Sequence, residues 1–97
     1  MRLILKQEAV EDMVAIYKYS VATFGERRAD EYYEGLEQRM YDLADSEVVI
    51  SYDYGHIREG LRRTIYESHS IYYREKEEDI VVSRVLHSRM DVTLHLH

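Results

Sequence analysis

The sequence contains no cysteine, no proline and no tryptophan. The absence of cysteine excludes disulfide bridges and thiolate metal sites, so the fold must rely on its hydrophobic core or on a partner. No stretch approaches the ~18 consecutive apolar residues that indicate a membrane-spanning helix. The apolar opening at residues 1–5 is too brief for a signal peptide, and we therefore expect a cytoplasmic protein that does not contact a membrane.

Length and composition indicate one globular unit. The chain has 97 residues, of which 45% are apolar, and we expect residues 1–97 to form a single domain. The formal net charge of −6 disfavours direct, sequence-specific binding to nucleic acid, because phosphate contacts supply much of the affinity in such complexes.

Charge is unevenly distributed along the chain. Residues 1–57 carry 6 Lys and Arg against 12 Asp and Glu, whereas residues 58–97 carry 7 of each sign. Six of the seven basic residues in this second part are arginines. Because the planar guanidinium group suits carboxylates and phosphates, these arginines are candidates for contacts with a partner or within the fold. They are Arg58, Arg62, Arg63, Arg74, Arg84 and Arg89.

Hydrophobic periodicity predicts an α+β fold. Residues 1–6 indicate a short strand, and apolar residues at helical spacing predict helices over residues 8–23 and 26–45, with Gly25 at the junction. Residues 61–66, 69–75 and 80–87 indicate three strands, whereas residues 46–57 suggest an irregular connection. The order predicts an N-terminal strand, an α-helical hairpin and a three-stranded antiparallel meander, with both helices on one sheet face.

Strand alternation assigns side chains to the two faces of this sheet. Ser70, Tyr72 and Arg74 should lie opposite Ile71 and Tyr73. On the last strand, simple alternation places Arg84 on a mostly apolar face that it shares with Ile80, Val82 and Leu86. A buried arginine needs an acidic partner, and Glu59, Glu67 or another acidic residue of the C-terminal half could serve.

Three segments in the second half of the chain resemble the C-terminal signature of ParE-type toxins, which belong to the ParE/RelE toxin superfamily. They are residues 58–63 (REGLRR), 68–74 (SHSIYYR) and 84–91 (RVLHSRMD). The helical region around Tyr17, Phe24-Gly25 and Tyr32 is similar to the N-terminal pattern of the same toxins. The resemblance therefore covers almost the whole chain.

This resemblance implies the toxin component of a type II toxin–antitoxin system. Such a toxin inhibits DNA gyrase through protein–protein binding, uses no cofactor and is neutralised by a cognate ParD-like antitoxin in a hetero-oligomer. Arginine and tyrosine suit such interfaces, since both are enriched where binding energy concentrates. We expect the partner-binding residues to be Arg58, Arg62, Arg63, Tyr72, Arg74, His87, Arg89 and Asp91.

Two alternatives remain within the superfamily. A RelE-type, ribosome-dependent endoribonuclease would need a proton-transfer group and positive charge near the cleaved phosphate, for which His87, Arg84 and Arg89 are candidates. The acidic net charge argues against ribosome binding, and Ser70 stands where such nucleases commonly have arginine. We therefore favour a toxin without catalytic residues. The other alternative is an inactive homologue that only binds antitoxin.

The histidines and the C-terminal tail complete the candidate features. Histidines occur at positions 56, 69, 87, 95 and 97, but their spacing matches no metal-binding signature, so we predict no metal site. Residues 92–97 are apolar for a chain end. Because they follow the most recognisable motif, we hypothesise that residues 88–97 contribute to toxicity.

Overall fold

The computed structural model describes residues 1–47, 49–90 and 95. Within these ranges the strands form one sheet in the order β1-β5-β4-β3-β2. The predicted α+β class is confirmed. The elements are β1 (Arg2–Leu5), α1 (Gln7–Phe24), α2 (Glu26–Ala44), β2 (Ser51–Asp53), β3 (Arg62–Tyr66), β4 (His69–Lys76) and β5 (Asp79–His87).

Gly25 separates the two helices and makes them a hairpin. Its φ is +90°, a conformation that costs glycine little, and its N–H donates to the carbonyl of Val21 at 3.0 Å. The same residue ends α1 and precedes α2. Within the described ranges, neither helix is apolar enough along its length to span a bilayer.

The sheet is antiparallel except at one edge. Strands β3, β4 and β5 form the predicted meander, whereas β1 pairs with β5 in parallel. Strand β1 pairs only with the first half of β5, from Asp79 to Val82. Residues 83–87 of β5 therefore form a sheet edge that no described strand covers.

The predicted irregular connection at residues 46–57 is partly wrong, because it contains β2, which pairs antiparallel with β3. Side chains of β3 fasten this short strand. The Thr64 hydroxyl donates to the carbonyl of Ile50 at 2.8 Å, and Arg62 donates to the Ser51 hydroxyl. Three residues are too few for a periodic pattern, so this strand depends on its neighbour. Val48 lies outside the described residues.

Both helices pack on one face of the sheet, as predicted. The main core joins Ala9 and Met13 of α1 and Leu36 and Met40 of α2 to the central strands. A smaller cluster on the opposite face contains Leu61, Tyr72 and Leu86, with Tyr54 and Ile57 packed against it. The strand residues in the main core are Ile71, Tyr73, Ile80, Val82 and Val85.

A bulge in β5 corrects the predicted alternation. Tyr72 pairs with Arg84 while the next residue, Tyr73, pairs with Val82, so Ser83 is an extra residue. A bulge of this kind shifts the alternation by one residue. Val82 faces the helices before the bulge and Val85 after it, so the prediction that Arg84 and Leu86 share a face with Ile80 and Val82 is wrong.

Candidate protein-binding groove

An open groove of about 880 Å³ runs between α1 and the uncovered edge of β5. Helix α2 and the β3–β4 turn close one end of it. Tyr19 and Phe24 of α1 and Met90, which follows β5, line the groove with large exposed side chains. Grouped exposure of this kind marks protein-binding surfaces more often than isolated apolar residues do.

A partly buried ion pair fastens α1 to the sheet edge along this groove. Arg84 donates to both carboxylate oxygens of Asp12, from Nε at 2.8 Å and from a terminal nitrogen at 2.9 Å. The same carboxylate accepts the N–H of Val85 at 2.9 Å. Asp12 thus satisfies a backbone donor where β1 has ended. Its hydrogen bond raises the pKa of Arg84.

The expected acidic partners of Arg84, Glu59 and Glu67, are therefore wrong. The partner is Asp12, and Glu8 adds a second carboxylate at 3.6 Å. The side chains of Arg84 and Asp12 are only 17% and 14% exposed. Two of the five N–H donors of the guanidinium are used in hydrogen bonds to Asp12.

Two histidines and a tyrosine form a polar cluster at the other end of the groove. His69 and His87 are directly opposite on β4 and β5, and their ring centroids are 5.5 Å apart. The Tyr32 hydroxyl lies 2.7 Å from His69 Nδ1, 3.2 Å from the N–H of Ser68 and 3.4 Å from the carbonyl of Tyr66. If His69 carries its proton on Nδ1, all three contacts can be hydrogen bonds. The Tyr32 hydroxyl then accepts from His69 and from the N–H of Ser68, and it donates to the carbonyl of Tyr66.

This cluster predicts a loss of stability in mild acid. Burial lowers the pKa of His69, and the charge of His87 lowers it further. The folded state therefore prefers neutral His69, whereas the unfolded state binds a proton at a pKa of about 6.5. The stabilisation that comes from neutral His69 is therefore present above a pH of about 6.5 and is lost as the pH falls below that value.

The unfolding temperature of the wild-type chain should therefore fall more steeply between neutral and mildly acidic pH than that of His69→Gln. Thermal melts monitored by circular dichroism measure both slopes. His56→Gln, in an exposed loop, is the matched control and should follow the wild type. Equal slopes for the wild type and His69→Gln would contradict this interpretation.

The adjacent arginines of β3 lie on opposite sheet faces. Arg62 donates from Nε and a terminal nitrogen to the Ser51 hydroxyl at 3.1 and 2.8 Å. Arg63 donates to the hydroxyls of Ser70 and Tyr54, both at 2.8 Å, on the face away from the helices. Because neighbouring strand residues point in opposite directions, these two arginines cannot form one binding patch.

The face away from the helices combines arginine with aromatic rings. The guanidinium of Arg63 lies 5.4 Å from the centroid of the Tyr54 ring, and Tyr54 packs edge-on against the buried Tyr72. Burial raises the pKa of the Tyr72 hydroxyl. Nearby, Arg74 Nε is buried and has no hydrogen-bond partner among the described residues.

The family model for the ParE toxin of the type II toxin-antitoxin system, parDE, matches residues 3–92. The chain belongs to this family. The match includes both helices, strands β2 to β5, most of β1 and the predicted signature segments. No curated protein matches the sequence at a significant level.

Solved structures share the fold of this ParE-family chain. A chromosomal ParDE TA system from P. aeruginosa has 22% identity and a TM-score of 0.73, over 90% of this chain and 95% of that chain. A copper-bound mutant toxin from Helicobacter pylori has 17% identity and a TM-score of 0.66, over 91% of this chain and 94% of that chain. In the described part of the ParE-family chain, no three His, Cys, Asp or Glu side chains group in a way that could hold a metal ion.

The predicted partner-binding residues of this ParE-family protein do not form one cluster. His87 lines the groove, and the N–H of Arg89 donates to its Nδ1 at 3.2 Å. Arg58 is exposed in the loop before β3. Asp91 and residues 92–94, 96 and 97 of the tail lie outside the described residues.

Sequence reasoning missed several residues that shape the groove. Neither Asp12 nor Tyr32 is among the residues that the sequence predicts to bind a partner. Of these residues, only Tyr19 and Phe24 could have been identified from the sequence, since large aromatic side chains near a helix end are candidates for partner contacts. Asp12 has no such signal, because its partners lie 72 and 73 residues away in the chain.

Proposed function

We propose that this ParE-family chain is a toxin that acts by binding DNA gyrase and that a ParD-like antitoxin holds it inactive. The observation that carries this proposal is the family match across residues 3–92. Gyrase is the target that the resemblance to ParE-type toxins implies. The proposal makes protein binding, and not bond cleavage, the toxic event.

The groove supports the antitoxin half of the proposal. A peptide segment lying in it would meet the exposed rings of Tyr19 and Phe24 and the uncovered edge of β5 at residues 83–87. Helices dock into such grooves through apolar side chains, and extended segments pair with free strand edges through backbone hydrogen bonds. A helical segment would find apolar contacts there, whereas an extended segment would have to pair with edge groups other than the N–H of Val85, which already donates to Asp12.

The state of Arg84 supports binding over RNA cleavage. In the rival nuclease, Arg84 and Arg89 would stabilise developing phosphate charge while His87 transferred a proton. Arg84 is instead bound to Asp12 through two hydrogen bonds of 2.8 and 2.9 Å and lies near Glu8. Two nearby carboxylates offset its charge, so it is a poor stabiliser of a second anion.

Expression of the chain without antitoxin tests the proposal. We expect growth arrest with filamentation, a DNA-damage response and trapped gyrase cleavage complexes, and relief of arrest when antitoxin is co-expressed. Purified chain should inhibit supercoiling by purified gyrase. Rapid loss of translation with cleaved messages would favour the RelE-type nuclease, and absence of any phenotype would favour the inactive homologue.

Replacement of His87 by alanine separates the two active alternatives. If the chain only binds its target, His87→Ala should at most weaken growth arrest modestly, because most single side chains of an interface contribute little and this one is exposed at the end of β5. If His87 is the proton-transfer group of a nuclease, activity should fall by about 10²–10⁴-fold. The test compares growth curves at matched expression levels. Loss of arrest with intact antitoxin binding would contradict the proposal.

A further inference from the structure

Helix α1 carries a second apolar surface, which we call the α1 seam: the exposed Val10, Val14 and Val21 and the partly exposed Tyr17. Its three valines are 40%, 46% and 36% exposed. The positions are separated by four, three and four residues. This is the spacing of the a and d positions through which two helices pack in a coiled coil.

The seam is separate from the groove. Asp12, Ala15 and Tyr19 line the groove from one side of α1, and Ala9 and Met13 face the core. At 3.6 residues per turn, the seam valines point away from the groove-lining residues. No described part of the chain buries them. Valine is a weaker helix former than alanine or leucine, so three exposed valines stabilise α1 little by themselves.

The neighbouring surface of α2 gives the seam an acidic border. Tyr17 packs edge-on against Tyr33 and donates to Asp30 at 2.6 Å, which sets the alignment of the hairpin. Because the helices are antiparallel, Glu34 and Glu37 then lie alongside the half of the seam that contains Val10 and Val14. Glu34 is exposed, and Glu37 is partly exposed.

We propose that the α1 seam binds an amphipathic helix of another protein, with apolar residues at a and d positions and Lys or Arg at the flanks. Basic flanks complement the acidic border formed by Asp30, Glu34 and Glu37, as charged flanks do in coiled-coil pairing. The seam spans roughly 16 Å, so the contact is small and reversible. This inference does not rest on the proposed function, since the groove lies on another side of α1.

Charge argues against a second copy of the chain as the occupant, and the position of Met90 argues against the chain's own tail. In a symmetric pair of copies, each chain would present the same surface, so the acidic borders would meet and repel. The chain's own tail starts after Met90, which lines the groove on the other side of α1. A basic helix from a different protein satisfies both constraints.

Two synthetic peptides of about 18 residues, long enough to cover the seam, test the proposal. Both carry leucine at a and d positions; one has Lys at the flanks and the other has Glu. Fluorescence anisotropy with the full chain at low ionic strength should give micromolar binding of the Lys peptide only. Val14→Asp should weaken this binding at least about tenfold. Since the substitution adds a negative charge, electrostatic attraction alone would strengthen binding of the Lys peptide.

The matched controls address charge and folding. Tyr52→Asp, at an exposed position on β2, should bind the Lys peptide as the wild type does. The double variant Glu34→Lys/Glu37→Lys should prefer the Glu peptide. Circular dichroism melts establish that each variant is folded. Binding that is unchanged by Val14→Asp, equal for both peptides, or replaced by a dimer of the chain that Val14→Asp abolishes would overturn the proposal.

Discussion

Replacing Asp12 with alanine is expected to lower the free energy of unfolding by about 1–3 kcal/mol, the usual cost of leaving donors in a largely buried site without their acceptor. Arg84 would keep its charge in a site where it is only 17% exposed. The N–H of Val85 would also lose its acceptor at the β5 edge. Urea denaturation followed by circular dichroism, extrapolated linearly to zero denaturant, measures the change.

Glu8→Ala is the matched control for Asp12→Ala. Glu8 lies on the same helix and approaches the same guanidinium, but its carboxylate is 3.6 Å away and 67% exposed. An exposed pair of this kind contributes less than about 1 kcal/mol. The double variant Asp12→Ala/Arg84→Met should recover much of the loss, because no unpaired charge remains. If Asp12→Ala costs no more than Glu8→Ala, the ion pair does not fasten α1 to β5.

Replacing Gly35 with alanine should destabilise the protein by about 1–3 kcal/mol, the usual cost of overpacking. The same change in an open helix interior stabilises by about 1 kcal/mol. The sign is reversed here because a methyl group at Gly35 would overlap the hydroxyl and Cζ of Tyr66. Tyr66 cannot move freely, since its ring contacts that of Tyr32 edge-on and lies 5.7 Å from the Arg39 guanidinium.

A double-mutant cycle isolates this contact. In a Tyr66→Ala background the space above Gly35 is open, and Gly35→Ala should then stabilise the chain by about 1 kcal/mol. Unfolding free energies of the four proteins give the coupling directly. A stabilising Gly35→Ala in the wild-type background would mean that the Tyr66 ring moves aside at little cost.

If both proposed contacts form, the two surfaces of α1 would let one chain bind two partners. The groove side carries Tyr19 and the Asp12–Arg84 pair, whereas the seam side carries Val10, Val14 and Val21. The core-facing residues Ala9 and Met13 lie between these two sides of α1 and pack the helix against the sheet. An antitoxin segment in the groove would therefore leave the seam accessible.

Local patterns predicted the elements that depend on local interactions. The predicted helices 8–23 and 26–45 match α1 and α2 to within one residue at each end, because both carry a clear apolar stripe. The strands of the meander were predicted for the same reason. Strand β2 was missed, since its three residues are held by hydrogen bonds from β3 and not by a pattern of their own.

The candidate site was less predictable than the fold. The sequence resemblance identified the family and indicated Arg84 and His87 as residues of interest. It could not reveal that the bulge at Ser83 reverses the alternation of β5. The resemblance also placed Arg62 and Arg63 in one partner-binding set, although strand alternation alone puts their side chains on opposite faces of the sheet.

By itself, the sequence determined the family, the α+β class, the helical hairpin and the meander, because apolar periodicity and turn residues act over short stretches of chain. Only the tertiary structure decided the partner of Arg84 and the position of the groove. Both depend on β1 ending at Leu5, which leaves the second half of β5 as an edge that Asp12 reaches from α1. A contact across 72 residues has no local signature, so it emerges only when strands and helices pack.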